Sequence, residues 1–147
     1  MNYKQYVDKL KPLYARLSDK KEQEIFRYLT AAYVWYHQGY RASKKVAKPE
    51  LIKHLVSRGL MQMKVEKFTG KEILPDDRGV RETVRELLKR GYPILADSSE
   101  SGYYIADSLE EIERPKAENE KRAKMILAVG QGYTKVANLI QYDRTIG

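Results

Sequence analysis

The most informative pattern of hydrophobic and polar positions lies between residues 76 and 106. Apolar side chains recur there at i, i+4, i+7 and i+8, the spacing of one face of an α-helix; they are Val80, Val84, Leu87 and Leu88. Gly91 and Pro93 then end the helix, because glycine tolerates positive φ and proline cannot continue a helix. Two β-prone runs follow, residues 94–96 and 103–106, around the polar sequence SSESG. The pattern predicts an amphipathic helix followed directly by a β-hairpin.

The opposite face of this predicted helix is basic. It carries Arg78, Glu82, Arg85 and Lys89, with Arg81 at its edge. A basic helix that is followed at once by a two-stranded wing is typical of the winged helix-turn-helix, whose helix enters the major groove of DNA. A mixed-charge surface helix is the alternative, because five basic and five acidic residues lie between Glu72 and Tyr92 and the charge nearly cancels.

Three stretches of this segment resemble a known family. Residues 77–87 (DRGVRETVREL) and 90–94 (RGYPI) are similar to the pattern DR-x-VR-x-x-I-x-x-L-R-x-x-G-Y-P-I of phage and prophage winged-helix proteins. Residues 102–106 (GYYIA) resemble the GYYLA wing strand of the same family. The resemblance covers about 30 of the 147 residues and implies a winged helix-turn-helix fold. It implies no single role, since these proteins include transcriptional regulators and replication-associated proteins.

On this interpretation, the helix and the wing divide the contacts between bases and phosphates. From the helix we expect Arg78, Arg81 and Arg85 at base edges or phosphates, Thr83 beside them, and Lys89 at the DNA backbone. From the wing we expect Ser98, Ser99 and Ser101 along phosphates or the minor groove.

Residues 41–71 carry most of the positive charge, with 9 basic and 2 acidic residues. Lysines attract phosphates without reading sequence. We therefore expect Lys44, Lys45 and Lys48 to supply affinity and salt dependence in DNA binding. The alternative is that this lysine-rich stretch is only a solvated surface.

Two assignments are open for the helix that precedes the basic helix. Pro49 predicts a helix over residues 50–58 that ends at Gly59. Residues 60–68 alternate like a strand or an extended arm, and residues 69–72 have the form of a capping box that would begin a short helix ended by Pro75. Either this short helix is a truncated second helix, or the helix over residues 50–58 is the second helix and residues 60–75 are an insertion.

The first 40 residues predict a helical hairpin. Apolar side chains with a 3.6-residue period extend from Tyr3 to Leu17, and a second stripe follows Ser18, a candidate N-cap. Nine of the fifteen aromatic residues lie in this region. Stacked aromatic rings can hold single-stranded bases, but tyrosines at helical spacing more often form a core with their hydroxyls reaching water. We expect the hairpin to pack on the winged domain or to form a dimer contact.

The residues after the wing predict a helical extension. Ser108 begins a capping box, and Pro115 is expected to kink or restart the helix. Gly130 and Gly132 are expected to break it, leaving residues 133–142 as a final helix with one apolar face. Such a tail would bind a second copy or a partner, or pack on the amino-terminal helices.

Composition narrows the classes of function. The net charge of +8 favours a polyanionic partner such as nucleic acid. Cysteine is absent, which excludes disulfides and thiolate metal sites. No apolar run approaches the roughly 18 residues of a membrane span, and the amino terminus lacks the hydrophobic block of a secretory signal. We therefore expect the protein to be located in the cytoplasm of a bacterial host cell.

Catalytic chemistry has little support in the sequence. The two histidines, His37 and His54, lack metal-ligand spacing with carboxylates, and no P-loop, dinucleotide-binding fingerprint or nucleophile elbow occurs. Asp76 and Asp77 are interpreted as helix caps rather than a metal site. We expect no catalytic residue, no metal, no cofactor and no enzymatic activity.

Together these patterns predict a mainly α (α+β) fold in three parts. Residues 1–40 form a helical hairpin, residues 41–106 a winged helix-turn-helix, and residues 107–147 a helical extension. The expected function is sequence-specific binding of double-stranded DNA by a phage or prophage transcriptional regulator, a homodimer through its terminal helices. One alternative is a replication or recombination accessory protein at an origin or attachment site. Another is an inhibitor that binds a host enzyme through its tyrosine-rich surface, with the winged fold as a platform.

Overall fold

The computed structural model describes residues 2–99 and 101–146. They are mainly helical, with 62% helix and a small antiparallel sheet, in agreement with the predicted α+β class. The helices are α1 (Tyr3–Ala15), α2 (Lys20–His37), α3 (Lys48–Ser57), α4 (Arg78–Lys89) and α5 (Leu109–Ile146). The strands are β1 (Val46–Ala47), β2 (Lys64–Val65), β3 (Glu72–Ile73), β4 (Ile94–Ala96) and β5 (Gly102–Ile105). The chain divides into two compact units, one up to residue 107 and one from residue 108 onwards.

The first two helices begin at side-chain caps. The Asn2 side chain accepts from the backbone N–H of Gln5, and the Gln5 side chain accepts from the N–H of Asn2 in return. Helix α2 begins one residue later than Ser18 predicts, because Asp19 is the N-cap and accepts from the N–H of Glu22 at 2.9 Å. Both helices are the ones that the apolar periodicity indicated.

The apolar stripes of α1 and α2 lie in the core of the first unit. Their buried members are Leu10, Leu17, Ile25, Phe26, Leu29, Ala32 and Tyr33. The Tyr33 hydroxyl donates to the Asp107 carboxylate at 2.9 Å, and the Tyr6 hydroxyl donates to the carbonyl of Ala106. The helical hairpin therefore shares one core with the sheet and α4, and these tyrosines pack as core residues whose hydroxyls bind protein groups.

The main sheet has three antiparallel strands in the order β1-β5-β4. Val46 lies opposite Tyr103, and Leu95 lies opposite Tyr104. Strand β1 has only two residues, and no local pattern predicted it. Val46 is completely buried, so this short strand contributes to the core as well as to the sheet.

Helix α4 is the amphipathic helix that the sequence predicted. Its buried residues are Val80, Val84 and Leu87, whereas Leu88 is 48% exposed, so the apolar face is narrower than expected. At the amino terminus the N-cap residue is Asp77, whose side chain makes no cap hydrogen bond. The carboxylate of the preceding Asp76 accepts from the N–H of Arg78 at 3.2 Å instead. Gly91 follows the helix with a φ of 87°, the conformation that the predicted helix end needs.

A hairpin of β2 and β3 lies between α3 and α4. The prediction of a capping box and a short helix from residue 69 was wrong. Gly70 adopts a φ of 68° and turns the chain back, and the Thr69 hydroxyl donates to the Glu66 carboxylate at 3.0 Å instead of capping a helix. In the part of the chain that the structure describes, no helix lies between α3 and α4. Helix α3 therefore precedes α4, and the hairpin is inserted between them.

The second unit is the single helix α5. The Ser108 hydroxyl accepts from the N–H of Glu111 and donates to the Glu111 carboxylate, so Ser108 caps the helix as predicted. The predicted breaks at Gly130 and Gly132 were wrong, because the helix continues through both, as it does through Pro115; a glycine costs a helix only about 1 kcal/mol. Its large apolar side chains are exposed: Leu109, Ile112, Met125, Ile126, Leu127, Val129, Tyr133, Val136, Leu139 and Ile140.

One carboxylate joins α2 to α3. Glu24 lies 2.5 Å from an Arg27 nitrogen, 2.6 Å from Nε2 of His54 and 3.4 Å from Nε of Arg58. The hydrogen bond from Arg27, reinforced by His54 and opposed by burial, lowers the pKa of Glu24 from 4.5 to about 2. This cluster fixes α3, and with it the start of the segment that leads to α4.

We expect Gly102→Ala to destabilise the first unit by about 1–3 kcal/mol. A Cβ at this position would collide with the carbonyl oxygen of Val46, and relief of the collision would separate β1 from β5. Chemical denaturation followed by Trp35 fluorescence measures the change. Gly130→Ala is the control, because a Cβ there meets no atom within 4 Å. Equal denaturation midpoints for Gly102→Ala and the wild type would contradict the expectation.

We expect Glu24→Gln to lower the free energy of unfolding by about 1–3 kcal/mol at neutral pH. Because the native pKa of about 2 lies below the ordinary 4.5, the carboxylate contributes its stability above about pH 4.5 and loses it as the pH falls towards 2. Urea denaturation should therefore show the variant and the wild type converging upon acidification.

Glu118→Gln is the matched control, because Glu118 belongs to an exposed i, i+4 pair with Arg114 and such pairs contribute little. A stability difference between Glu24→Gln and the wild type that did not depend on pH would contradict the role of the Glu24 charge.

Candidate nucleic-acid interface

A cleft of about 210 Å³ lies between α4 and the main sheet. It is lined by Lys48, Arg81, Val84, Arg85, Leu88, Ile94, Ala96 and Tyr103. Three cationic side chains meet there although the first is more than thirty positions away from the others in sequence, because α3 and α4 pack on the same core. The cleft combines positive charge with an apolar floor, a composition suited to a nucleic acid or another anion with flat apolar parts.

Arg81 and Arg85 are the cations of α4 whose charge is available. Both are exposed, and neither guanidinium makes an ion pair or a hydrogen bond to residues 2–99 or 101–141. Arg78, by contrast, lies 3.3 Å from the Glu82 carboxylate. The two free guanidinium groups are one helical turn apart and point into the same cleft.

The other predicted contacts of α4 are engaged locally. Lys89 pairs with Glu86 at 2.8 Å. The Thr83 hydroxyl donates to the carbonyl of Gly79 at 2.8 Å, so it satisfies the backbone of its own helix. Exposed i, i+3 ion pairs contribute little and exchange partners readily. Lys89 can therefore leave Glu86 for another anion more easily than Thr83 can leave its backbone hydrogen bond.

Lys48 enters the cleft from the start of α3 and is held by an aspartate. Its ammonium lies 2.8 Å from Oδ2 of Asp77 and 5.9 Å from the centre of the Tyr103 ring. That oxygen is shielded from solvent and makes no hydrogen bond of good angular geometry, so the lysine is its charge partner. The contact with Lys48 lowers the pKa of Asp77. Asp77 therefore positions a lysine rather than capping α4.

Lys44 and Lys45 are also engaged within the first unit. Lys45 lies 2.7 Å from the Asp97 carboxylate at the base of the wing, and this contact lowers the pKa of Asp97. Lys44 lies 3.0 Å from Asp107 and over the ring of Tyr104. The three predicted phosphate contacts at positions 44, 45 and 48 are thus each neutralised by an aspartate. They tie the segment around β1 to the wing and to α4.

Two of the serines between β4 and β5 make hydrogen bonds with Asp97. Asp97 accepts from both the N–H and the hydroxyl of Ser99, at 2.6 and 2.8 Å. The hydroxyls of Ser99 and Ser101 lie 2.9 Å apart, and Ser98 is exposed beside them. The β4–β5 hairpin therefore presents the exposed Ser98, Ser99 and Ser101 at its surface.

The inserted hairpin carries surface groups that sequence reasoning did not single out. Phe68, at its tip, is 97% exposed, and Val65 and Ile73 are 65% and 45% exposed. Lys67 and Lys71 flank the tip and make no ion pair within the described residues. The alternating pattern of residues 60–68 predicted a strand or an extended arm, which was the one sign of this hairpin in the sequence. It did not indicate the second strand, β3.

A second surface feature is an apolar groove of about 420 Å³ between α1 and α2. It is lined by Val7, Leu10, Lys11, Tyr14, Phe26, Arg27, Thr30, Ala31, Val34 and Trp35. Trp35 and Tyr14 are 43% and 38% exposed at this groove. A large aromatic side chain at an apolar groove is typical of a protein-binding surface.

The two histidines have structural surroundings. His54 contacts Glu24, as described above, and His37 stacks on the Tyr3 ring with centroids 5.0 Å apart. No group of three or more histidine, aspartate or glutamate side chains suited to a metal ion occurs in residues 2–99 and 101–141. Among the described helices, none is long and apolar enough to cross a membrane.

Comparisons with protein-family models, with curated proteins and with solved structures find no match for this chain. The resemblance of residues 77–106 to phage and prophage winged-helix proteins therefore stays a prediction from the sequence. Function is inferred from the geometry and charge of the first unit.

Proposed function

We propose that the protein is a non-enzymatic, sequence-specific double-stranded DNA-binding protein of the winged helix-turn-helix class, and that it acts as a phage or prophage transcriptional regulator. The observation that carries this proposal is the pair Arg81 and Arg85, which are exposed, make no ion pair with the described side chains, and line one cleft beside the sheet hairpin. Arg81 also lies close enough to Asp77 to contribute to the lowered pKa of that carboxyl. Arginine at a helix surface is the commonest reader of guanine in the major groove.

The order of elements in the first unit supports the winged helix. Helix α2, strand β1 and helices α3 and α4 are followed by the β4–β5 hairpin, and β1 pairs with β5 at the edge of the sheet. In this assignment α3 is the first helix of the helix-turn-helix, α4 is the recognition helix, and the turn between Asp97 and Gly102 is the tip of the wing. The β2–β3 hairpin is then an insertion in the turn between the two helices.

We infer different roles for the basic residues from their ion pairs. Arg81 and Arg85 would contact base edges, and Arg78 and Lys89 would contact phosphates after exchanging their exposed glutamate partners. Lys48 lies at the cleft wall and would meet a phosphate without leaving Asp77. Positions 44 and 45 would act mainly by holding the wing, whose serines would lie along the DNA backbone.

A second copy of the chain would bind the second half-site of the DNA. A single winged helix reads only a few base pairs, and specific sites commonly combine two half-sites about one helical turn apart. Helix α5 has exposed apolar residues at alternating spacings of three and four, the pattern of a coiled-coil seam: Ile126, Val129, Tyr133, Val136 and Ile140. The stripe of α1 lies in the core of the first unit, so the proposed dimer contact is restricted to α5.

A protein-binding role is the second candidate, and the α1–α2 groove with its exposed Trp35 favours it. In that case the winged fold would be a platform for contact with a host enzyme. Selection from a random DNA pool separates the candidates, because a DNA reader returns a sequence motif and a protein-binding platform returns none. Clustered, cooperative footprints would instead indicate a replication or recombination accessory protein.

We expect Arg81→Ala and Arg85→Ala each to weaken binding to the selected duplex by about 1–3 kcal/mol and to relax the base preference at one position. Fluorescence anisotropy titrations at fixed salt, repeated with single-base variants of the duplex, measure both effects. Arg16→Ala removes the same charge from the end of α1, outside the cleft, and should change affinity little. Unchanged affinity in both α4 variants would rule out this assignment.

We expect Val136→Asp to abolish the dimer, because it places a charge in the proposed seam of α5. Light scattering at micromolar concentration should return twice the chain mass of 17.1 kDa for the wild type and a single chain mass for the variant. Asn138→Asp introduces the same side chain two positions along, off the seam, and should remain dimeric. A wild-type mass of one chain, unchanged when DNA is added, would contradict the dimer.

A further inference from the structure

The β2–β3 hairpin presents one aromatic side chain at the end of an ordered turn. The N–H of Glu66 donates to the carbonyl of Lys71 at 2.9 Å, and the N–H of Gly70 donates to the carbonyl of Glu66 at 3.0 Å. Gly70 adopts the positive φ that closes this loop. These hydrogen bonds stabilise the turn, and Phe68 is 97% exposed in it. The backbone of the turn therefore holds the Phe68 side chain in solvent.

The surface around the tip is cationic and apolar. Lys67 and Lys71 flank Phe68 and have no ion pair within the described residues. The nearest acidic group in sequence, Glu66, accepts from the Thr69 hydroxyl at 3.0 Å, and Glu72 is exposed on the return strand. An exposed phenylalanine between two free lysines suits a partner that combines phosphates with stacked flat rings.

The base of the hairpin is attached to the amino terminus of α4. Lys64 lies 3.2 Å from the Asp76 carboxylate, and the same carboxylate caps α4 at Arg78. Residues at the amino terminus of a recognition helix contact base edges, so the hairpin projects from the point where α4 would meet DNA. The two paired residues of each strand and the turn after Glu66 carry Phe68 to the end of the hairpin, away from this attachment.

We propose that the β2–β3 hairpin is a second DNA-contacting element, in which Phe68 wedges between adjacent base pairs and bends the duplex while Lys67 and Lys71 neutralise the flanking phosphates. The inference rests on the proposed DNA-binding function. Apolar side chains inserted in this way unstack a base step and kink the duplex by roughly 20–90°. A protein hot spot fits less well, because such sites sit inside a broad packed patch, whereas this tip is narrow.

The test compares wild type, Phe68→Ala and Phe68→Leu on the duplex recovered by selection from a random pool. Fluorophores at the two duplex ends report bending by energy transfer, and anisotropy reports affinity. Phe68→Ala should return the end-to-end distance to that of the free duplex and weaken binding roughly tenfold, because the bent DNA no longer wraps the protein. Phe68→Leu keeps an apolar wedge and should retain most of the bend. Thermal melting should be unchanged in both variants, since Phe68 is exposed.

Arg81→Ala separates the two proposals. If it loses the base preference while Phe68→Ala loses the bend, both are supported. If Arg81→Ala loses the preference but Phe68→Ala binds and bends the duplex like the wild type, the hairpin inference is overturned and the DNA-binding function stands. If no duplex is selected, the proposed function fails and the hairpin inference fails with it. Loss of binding to a host protein in Phe68→Ala, with bending unchanged, would assign the tip to a protein partner and overturn the inference.

Discussion

The pairing of β1 with β5 is the constraint on which the arrangement of the first unit depends. Val46 is completely buried, and its carbonyl lies so close to Gly102 that a side chain at that position would collide with it. Helix α3 begins one residue after β1. The position of Lys48 beside Arg81 and Arg85 therefore follows from a sheet edge only two residue pairs long, together with the attachment of α3 to α2 through Glu24.

Aspartates divide the positive charge of this unit into two classes. Asp77, Asp97 and Asp107 each neutralise one lysine of the segment around β1. Those pairs connect the β4–β5 hairpin, α3 and α4. The lysine charges therefore stabilise the fold and are already neutralised within the protein. Arg81 and Arg85 on α4, and Lys67 and Lys71 at the tip of the inserted hairpin, make no ion pair with the described side chains. Net charge by itself does not reveal this division, because a lysine counts equally in both classes.

The sequence predicted elements well where several local signals agreed. The prediction of helix α4 was correct because its apolar period, the aspartates at its start and the glycine at its end all indicate the same helix. The turn at Gly70 was misread because a threonine followed three residues later by a glutamate marks a helix start and fits a hairpin turn equally well. The breaks expected in α5 were wrong because glycine only weakens a helix. Strand β1 was missed because two residues carry no detectable period.

By itself, the sequence determined the existence of the main helices, the two strands of the β4–β5 hairpin and the absence of cysteine chemistry, because these depend on neighbouring residues or on composition. It also indicated the basic residues of α4, since helical periodicity places them on one face. The tertiary structure alone decided which cations are free, because an ion pair such as Lys45 with Asp97 joins positions 52 residues apart. It likewise decided that the amino-terminal tyrosines are core and that Phe68 is exposed, since burial depends on which elements pack together.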